Sequence, residues 1–579
     1  MKKEFSLSTG KAMINFTAKY CDSSEAVFNS YGFKRILESY LRTIEKREGN
    51  IYKYIKNSLE GNKESIFGDT VNVLKLLLVL KSEEIIKLES KYKKLLEDKD
   101  KFILFIEDLY NFWRKLERYT IVQNKKIREG YQNVSFIDAN NRFSNLILKT
   151  YRKIEENVLG VAPKVYRQLP VGGNAGLILT DSTWKMPKEY ELLKKVPFIE
   201  SILLDPPFIT YPKKNTRDGM FTECFENPLN GGCSIDVDHW FCYPAKVGSL
   251  LAYIYFHRDF MAHGVTLCNL FELASEEEYK GKKPDMIYVF GARDNSSEMK
   301  TVFYDDKEND IMLGYINYNE AIDYFGYMKK MTLTLHNLIM IKKGYLPIHG
   351  AMVHVITKND KTANVIIMGD SGAGKSESLE AFRKLADDYI SDMTIIFDDM
   401  GVVKLDGDNK PKGYGTEIGA FVRLDDLDTG YAFKQIDRSI FMNPDKVNAR
   451  LVIPVASYKE IIAGYPIDLF LYANNYEEEG PELEFFENVE DSLNVFKSGA
   501  RMAKGTTTEK GLVKTYFANP FGPMQKKEDT DVLLKEYFNK FFNSKVRVGQ
   551  LKTRLGVPGM EKKGPEKAAK MLLEQIKNL

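Results

Sequence analysis

The sequence has few cysteines, no long apolar run and no excess of charge of either sign. Five cysteines in 579 residues are too few for a disulfide scaffold, so a reducing, cytoplasmic location is expected. The longest strongly apolar stretch, VNVLKLLLVL at 71–80, contains Lys75 and is far shorter than the roughly 20 residues of a membrane-spanning helix. The basic start of the chain lacks a continuous apolar segment, so no secretory signal is expected.

The composition excludes two broad classes of protein. The 83 Lys and Arg residues almost balance the 81 Asp and Glu residues, which argues against a dedicated nucleic-acid binder. Hydrophobic residues make up 44% of the chain, so a globular fold with a large core is expected and a disordered polyelectrolyte is not. At roughly 150 residues per domain, the length predicts three or four domains or two large ones.

Three regions differ in pattern. Residues 1–160 have long Leu-, Ile-, Lys- and Glu-rich stretches with apolar residues three and four apart, which predicts an all-helical N-terminal domain. Its charge runs are typical of a solvated helix face, with a partner or oligomer surface as the alternative. Residues 161–330 mix turns with aromatic and β-branched segments, which predicts an α+β domain. Residues 331–579 place short apolar strands before helices, as in an α/β domain.

One motif in the last region carries chemistry. GDSGAGKS at 369–376 fits G-x-x-x-x-G-K-[ST], with an apolar strand pattern before it and a helix pattern after it. The glycines let the backbone present N–H groups to phosphate oxygens, and the helix adds the partial positive charge of its N-terminus. The lysine can reach the β- and γ-phosphates, and the serine can hold Mg²⁺. The motif therefore predicts a nucleotide site formed by Gly369, Asp370, Ser371, Gly372, Ala373, Gly374, Lys375 and Ser376.

A second strand pattern ends in two carboxylates. MTIIF at 393–397 is followed by Asp398 and Asp399. In phosphate-loop enzymes such a strand runs beside the phosphate-loop strand and turns its acid toward the metal. The pair is therefore predicted to take part in metal binding.

At this point the sequence resembles the phosphoenolpyruvate carboxykinase family. The segment YFGYMKKMTLTLHNLIMIKKGYLPIHGAMV at 324–353 is similar to the metal-site segment of that family, which carries a Tyr, then Met-Lys-Lys, then a His. Here these are Tyr324, Lys329, Lys330 and His349, and the step from Lys330 to His349 is that of the family's ATP-dependent branch. The phosphate loop and the Asp pair follow in the family's order. TEIGAFVRL at 416–424, NARLVIPV at 448–455 and GTTTEKGLVKTYFANPFG at 505–522 are similar to its later segments. The resemblance covers about a third of the chain.

The resemblance implies roles for particular side chains. It implies that Lys330, His349 and Asp399 ligate Mn²⁺, with Lys330 kept neutral by the metal and by neighbouring Lys329. Mg²⁺ on the triphosphate would be held by Ser376 and, through water, by Asp398. It further implies that the transferring phosphoryl group is neutralised by Lys329, Lys375 and Arg450, that Tyr324 contacts substrate and that Lys510 lies near the base.

The implied fold is a two-lobed, mixed α/β catalytic unit. Residues 161–330 would form the first lobe and 331–579 the phosphate-loop lobe, behind the helical domain. The implied reaction converts oxaloacetate and ATP to phosphoenolpyruvate, CO₂ and ADP, with the choice of ATP over GTP resting on the resemblance. The family's usual Arg-bearing segment is not found in 1–320. Arg217 and Arg293 are the two residues considered as its substitutes.

Two other functions remain open. The loop itself, Gly-Asp-Ser-Gly-Ala-Gly-Lys-Ser-Glu, is closer to that of HPr kinase/phosphorylase, which favours a kinase acting on a small-molecule hydroxyl or a protein serine. A regulator that senses nucleotide without turnover is the third hypothesis. It is less favoured because both catalytic lysines and all implied metal ligands are retained.

Overall fold

The structure is a computed structural model with a mixed α/β fold of large sheets and many helices. The structure describes residues 4–8, 10–47, 50–59, 61–123, 131–161, 171–181, 184–359, 361–370, 372–386, 389–424, 436, 438–503 and 511–579. The chain divides into two compact units. Unit 1 contains residues 1–181 and 197–208, and unit 2 contains 182–196 and 209–579. Within the described ranges, no helix is long and apolar enough to cross a bilayer.

Unit 1 combines eight α-helices with five strands among its described residues. The helices are α1 Ser24–Asn29, α2 Tyr31–Arg47, α3 Asn50–Ser58, α4 Lys63–Leu76, α5 Ser82–Leu88, α6 Lys93–Leu96, α7 Lys99–Lys115 and α8 Tyr131–Leu159. The strands are β1 Phe5–Ser8, β2 Lys11–Asn15, β3 Glu117–Gln123, β4 Ala175–Thr180 and β5 Phe198–Leu204. They lie in the order β1-β2-β3-β4-β5, and β2, β3 and β4 run parallel.

The helices of unit 1 follow the apolar periodicity of the sequence. In α7, Phe102, Phe105, Ile106 and Leu109 are buried at three- and four-residue spacing, and the Asp98 side chain caps the helix by accepting from the Lys101 amide. The expectation of an all-helical segment over 1–160 is nevertheless wrong, because β1, β2 and β3 lie within it. Pairing with strands distant in sequence stabilises these short segments, and helical periodicity does not report such pairing.

Unit 2 contains the remaining strands, of which the first begins at the last residue of unit 1. Their bounds are β6 Phe208–Thr210, β7 Thr222–Glu223, β8 Trp240–Val247, β9 Leu250–His257, β10 Glu272–Leu273, β11 Met286–Ala292, β12 Thr301–Asp306, β13 Ile311–Asn317, β14 Leu346–Thr357, β15 Thr362–Met368, β16 Ile390–Phe397, β17 Met400–Leu405, β18 Pro411–Gly415, β19 Gly419–Arg423, β20 Ile440–Met442, β21 Arg450–Pro454, β22 Tyr465–Pro466, β23 Leu469–Asn474, β24 Leu483–Phe485, β25 Ala500–Met502, β26 Leu512–Lys514 and β27 Arg547–Lys552.

The described helices of unit 2 are shorter in total than its strands. They are α9 Met261–Thr266, α10 Glu276–Tyr279, α11 Phe325–Lys342, α12 Lys375–Ala386, α13 Tyr458–Ile462, α14 Val489–Ser498, α15 Lys527–Asn543 and α16 Lys563–Lys577. One group of strands has the order β8-β9-β11-β13-β12-β7, and β9, β11 and β13 run parallel. A nine-stranded sheet has the order β22-β18-β17-β14-β15-β23-β27-β24, with β16 also paired to β14.

The central strands of the nine-stranded sheet position the candidate site. Strands β15, β23 and β27 run parallel, and β14 lies antiparallel between β15 and β16. Their apolar residues are buried on both faces, which matches the near-continuous hydrophobic runs in the sequence. The sequence suggests that the strand ending in the Asp pair runs directly beside the phosphate-loop strand. In the structure, β16 and the phosphate-loop strand β15 are not neighbours. Strand β14 separates the two because β16 pairs with it instead.

Helix α11 is the most deeply buried long helix of this unit. Of its 18 residues, 16 are buried, including Lys329. A helix that is apolar on nearly all sides belongs in a protein interior, so the charged groups on it need partners there. Tyr324 occupies the N-cap position without a side-chain capping bond, and the two adjacent lysines lie in the second turn of the helix.

Candidate active site

The phosphate loop connects β15 to α12, as the motif predicts. Gly372 and Gly374 have φ values of +81° and +90°, in the region that favours glycine, and a Cβ on Gly374 would lie 2.5 Å from Thr553 Oγ1. The hydroxyl of Thr553 donates to the Ala373 carbonyl at 2.7 Å, and the Asn475 side-chain amide donates to the Gly372 carbonyl at 2.9 Å. These two bonds satisfy loop carbonyls. Two of the loop amides are engaged as well, since Gly369 donates to the His349 carbonyl and Ala373 donates to the Asp370 carbonyl.

Lys375 and Ser376 start helix α12. The ammonium of Lys375 donates to the carbonyls of Gly369 and Asp370 at 2.7 and 3.1 Å, so it is folded back on its own loop. Burial lowers its pKa. The Ser376 hydroxyl lies 3.4 Å from Asp398 Oδ1. Burial, with a contribution from the neighbouring Asp399 carboxylate, raises the pKa of Asp398 to about 6.

The acidic residue of the loop is paired. The Asp370 carboxylate accepts from Arg501 Nε at 3.0 Å and from the Thr515 hydroxyl at 3.2 Å. Arg501 lies in β25 and Thr515 directly follows β26, and these two strands form a hairpin. Nothing in the local sequence of either residue predicts this pairing. Two predicted nucleotide contacts, Ser371 and Lys510, lie outside the described residues.

Asp399 is the centre of a second group of charged side chains. Its Oδ2 lies 2.7 Å from Lys329 Nζ and 2.5 Å from Lys330 Nζ, and its Oδ1 lies 3.1 Å from His349 Nε2. Burial opposes ionisation of Asp399, but the two ammonium groups outweigh it and hold the pKa of this carboxyl well below its usual range. The structure thus brings together the three residues that the resemblance assigns to one metal ion.

Strand β14 links this group to the phosphate loop. His349 lies on β14, its carbonyl accepts from the Gly369 amide at 3.0 Å, and the following Gly350 amide donates to the Asp399 carbonyl at 3.0 Å. These backbone bonds fix the distance between the loop and the Asp399 group. Burial lowers the pKa of His349, which favours its neutral imidazole.

The hydrogen bonds of His349 fit a cation site. Its Nδ1 lies 2.7 Å from the Ala518 carbonyl, which only accepts, so Nδ1 carries the proton. In the neutral ring Nε2 then presents a lone pair to the Asp399 carboxylate, and two acceptors face each other. A cation bound by both resolves this arrangement, and the carbonyl that orients the ring is typical of metal-ligating histidines.

The two lysines respond differently to burial. Burial lowers the pKa of Lys330, and neighbouring Lys329 acts in the same direction, against the attraction of Asp399. Burial also disfavours the charge of Lys329, but Asp399 and Glu417 outweigh it and raise the pKa of that lysine. Lys330 is therefore the one suited to lose its proton and act as a ligand.

In the part of the chain that the structure describes, no three His, Cys, Asp or Glu side chains form a metal-binding cluster.

Glu417 belongs to the same group and had no predicted role. It is 1% exposed, and its Oε1 lies 3.3 Å from Lys329 Nζ without hydrogen-bond alignment. Burial raises the pKa of Glu417 to about 7. In the sequence, Glu417 is the acid of TEIGAFVRL, a segment that resembles one of the family's later segments. The resemblance assigns no role to this residue.

Two phenylalanine rings flank the lysines. Phe421 has Lys329 Nζ at 5.7 Å and the Arg450 guanidinium carbon at 5.4 Å from its centroid. Its ring centroid lies 6.0 Å from that of Tyr324, whose pKa is raised by burial. The Nε of Arg450 is buried and has no hydrogen-bond partner among the described residues.

The second ring, Phe521, brings Arg217 toward the site. The ring centroid lies 4.6 Å from Lys330 Nζ and 5.4 Å from the Arg217 guanidinium carbon. Burial lowers the pKa of Arg217, and Tyr327 and Tyr324 are the groups that oppose this shift most. Arg293 is the other arginine named as a substitute for the family's Arg-bearing segment, and it follows the end of β11. Its guanidinium carbon lies instead over the Tyr318 ring, 4.5 Å from the ring centroid.

The cationic and acidic groups of the site thus form two clusters joined by β14. One cluster is the phosphate loop with its nearby acid, and the other is the Asp399 group with two arginines at the flanking rings. Such an arrangement can bind a triphosphate next to a second anionic molecule.

No known protein-family model matches this chain, and no match was found among curated proteins.

Proposed function

We propose that this chain transfers a phosphoryl group from ATP with the help of divalent metal ions. The observation that carries the proposal is the pairing of two sites across one strand: Lys375 and Ser376 on the phosphate loop, and the Lys330, His349 and Asp399 group at the other side of β14. The resemblance of 324–522 to phosphoenolpyruvate carboxykinase supports the same reaction class, since the residues of both sites lie in that range.

Two metal ions fit the donor sets. Lys330, His349 and Asp399 would hold Mn²⁺, because imidazole, carboxylate and a neutral amine suit a borderline metal. Ser376 and Asp398 would hold Mg²⁺ on the nucleotide, since hydroxyl and carboxylate oxygens suit that hard ion. When bound, such ions polarise substrate oxygens and neutralise developing charge.

The protein side chains would provide positioning and charge. Lys375 now donates to two loop carbonyls and would exchange these for phosphate oxygens of ATP. The N-terminus of α12 and the loop amides would bind further phosphate oxygens. Lys329 and Arg450, which share the Phe421 ring, would approach the transferred phosphoryl group from the side of the acceptor.

The acceptor side favours a small anionic substrate. Arg217 and Arg450 carry guanidinium groups next to the two lysines, and Arg binds carboxylates in bidentate fashion. In the carboxykinase reaction, the carbon–carbon bond to the departing carboxylate of oxaloacetate breaks, and this carboxylate leaves as CO₂. The electron pair of the broken bond forms an enolate. The enolate oxygen then takes the γ-phosphoryl group of ATP, and ADP is released. Arg217 would hold the remaining carboxylate during these steps.

One observation favours a second acceptor class. Burial raises the pKa of Asp398 to about 6, close to neutral pH, which suits a general base for a hydroxyl group. The HPr-kinase-like loop sequence points the same way. The second candidate is therefore phosphorylation of a small-molecule hydroxyl or a protein serine.

A coupled assay distinguishes the two candidates. The protein is incubated with ATP, Mg²⁺, Mn²⁺ and oxaloacetate, and phosphoenolpyruvate is measured. We expect turnover that is lost in Lys330→Ala and retained in Lys342→Ala, a partly exposed lysine of the same helix. If the wild-type protein makes no more phosphoenolpyruvate than Lys330→Ala, the carboxykinase reaction is wrong. ATP-dependent labelling of a hydroxyl acceptor would then support the second candidate.

A further inference from the structure

Unit 1 contains an apolar cavity that the phosphotransfer site does not use. Its volume is about 160 Å³. It lies between two clusters of packed side chains. One cluster is mainly helical and contributes Phe28, Ile106 and Leu109, and the other lies beside β1 and β2 and contributes Phe5 and Ile14. The two clusters therefore leave a space where they meet.

Aromatic and aliphatic side chains dominate the cavity wall. Its aromatic members are Phe5, Phe28, Phe33, Tyr110, Trp113, Phe143 and Tyr151. A cavity of about 150 Å³ with such a lining stays dry and accepts a benzene-sized molecule. When it is empty, its wall loses dispersion contacts and the surrounding fold is less stable. The cavity therefore suits a ligand of one substituted ring.

Three polar side chains of the wall already have hydrogen-bond partners. The Ser30 hydroxyl donates to the Val27 carbonyl, and the Thr150 hydroxyl donates to the Leu146 carbonyl at 2.7 Å. Trp113 Nε1 donates to the Val171 carbonyl at 3.0 Å. These groups have no need of a ligand, and a charged ligand would lose its hydration on entering so apolar a wall. A neutral molecule is therefore favoured.

The same wall reaches the protein surface. Lys19 lies in it with an exposed side chain, and its ammonium lies 3.9 Å from Glu4, whose carboxylate accepts from the Tyr31 amide at 3.0 Å. A small molecule can thus enter near these residues without unfolding the unit. Since Glu4 and Lys19 compensate each other, the entrance does not select a charged group.

We propose that unit 1 binds a neutral, apolar small molecule about the size of a substituted benzene ring in this cavity. The site is independent of the proposed phosphotransferase activity. Toluene is a suitable probe, and benzoate, which has a ring of the same size and a negative charge, is the matched comparison.

Thermal unfolding of the full chain tests the proposal. Toluene is expected to raise the unfolding midpoint by a few degrees, and benzoate is expected to have no effect. Ile147→Phe fills the cavity and should remove the response to toluene. Ile137→Phe makes the same change on the same helix at a position that is 40% exposed, and should keep it. No midpoint shift in the wild type, or equal shifts in both variants, would overturn the proposal, as would equal binding of benzoate.

A second measurement does not depend on the folding of Ile147→Phe. Trp113 lines the cavity, so its emission is obtained from the difference between the wild type and Trp113→Phe. We expect saturating toluene to change this difference spectrum. An unchanged spectrum would show that no ligand reaches the cavity.

Discussion

Arg501 donates to Asp370, the acidic residue of the phosphate loop, across 3.0 Å between Nε and Oδ2. Both side chains are largely buried. A carboxylate in a loop that binds phosphates would repel them, and the repulsion between like charges is strong where water is excluded. The guanidinium compensates this charge, and it also joins the loop to the β25–β26 hairpin. In the proposed function, the pair would allow the loop to keep an acidic residue and still bind a triphosphate.

Removal of the arginine is predicted to weaken nucleotide binding. In Arg501→Met, Asp370 keeps its charge and loses its compensation. We expect the Kd for MgATP, measured by calorimetry, to rise about tenfold or more, since each 1.4 kcal/mol changes affinity tenfold. The double variant Asp370→Asn/Arg501→Met removes both charges and should recover most of the affinity. Equal losses in the single and double variants would contradict the role given to charge compensation.

Loss of Asp399 is predicted to destabilise unit 2. In Asp399→Asn, Lys330 loses its buried counter-charge and Lys329 keeps only Glu417. Breaking a buried pair typically costs about 3–5 kcal/mol. The free energy of unfolding is measured with urea at neutral pH. Asp392→Asn, an exposed change on β16, the strand that precedes Asp399, should stay within about 0.5 kcal/mol of the wild type.

The pH dependence of that variant provides a further check. Without Asp399, the folded state favours loss of a lysine proton, so the unfolded chain binds more protons and stability rises with pH. The deficit of Asp399→Asn is therefore expected to shrink between pH 7 and 10. A deficit that stays constant over this range would mean that the lysine charges are not its cause.

The phosphate-loop lysine is predicted to be required for turnover. Lys375→Met removes the charge that would bind the β- and γ-phosphates, and loss of one such group typically lowers kcat by about 10²–10³-fold. Lys384→Met, an exposed lysine on the same helix, should retain wild-type kcat. ATP consumption is followed in the presence of Mg²⁺ and Mn²⁺. Similar rates in both variants would remove the proposed role of the loop.

Arg217 is predicted to bind the acceptor carboxylate. It shares the Phe521 ring with Lys330, and Arg293 does not. Arg217→Gln should raise the KM for oxaloacetate about tenfold or more with little change in the KM for ATP. Arg293→Gln should leave both constants near their wild-type values. The reverse pattern would assign the carboxylate contact to Arg293.

Local features of the site could be predicted from the sequence. The strand, loop and helix that carry Lys375 are consecutive in the chain, so one motif with its context defines them. The convergence of Lys330, His349 and Asp399 was expected from resemblance, because the spacing of distant segments says nothing by itself about contact.

Features that depend on pairing between distant segments could not be predicted. Asp370 and Arg501 are brought together by the sheet and the β25–β26 hairpin, and neither residue is unusual in its local sequence. The insertion of β14 between the loop strand and β16 is likewise decided by strand pairing. In unit 1, Glu117–Gln123 continues directly from α7 without Pro or Gly, so only its pairing with β2 and β4 distinguishes it from more helix.

Acid is predicted to destabilise the folded chain through His336. His336 lies on α11, is fully buried, and has an Nε2 without a hydrogen-bond partner in the described part of the chain. Burial lowers its pKa to about 3, against about 6.5 in an unfolded chain. Between these values the unfolded state binds a proton that the folded state does not, so stability falls as the pH falls from 6.5 toward 3.

The size of this effect can be isolated by substitution. From pH 7.5 to 4.5, His336 alone should cost about 2–3 kcal/mol, since each pH unit below 6.5 contributes about 1.4 kcal/mol. His336→Gln removes the titrating group. Over the same pH range, its free energy of unfolding, measured with urea, should therefore fall by about 2–3 kcal/mol less than that of the wild type. Parallel curves for wild type and His336→Gln would show that acid instability arises at other groups, because no other property of the substitution depends on pH.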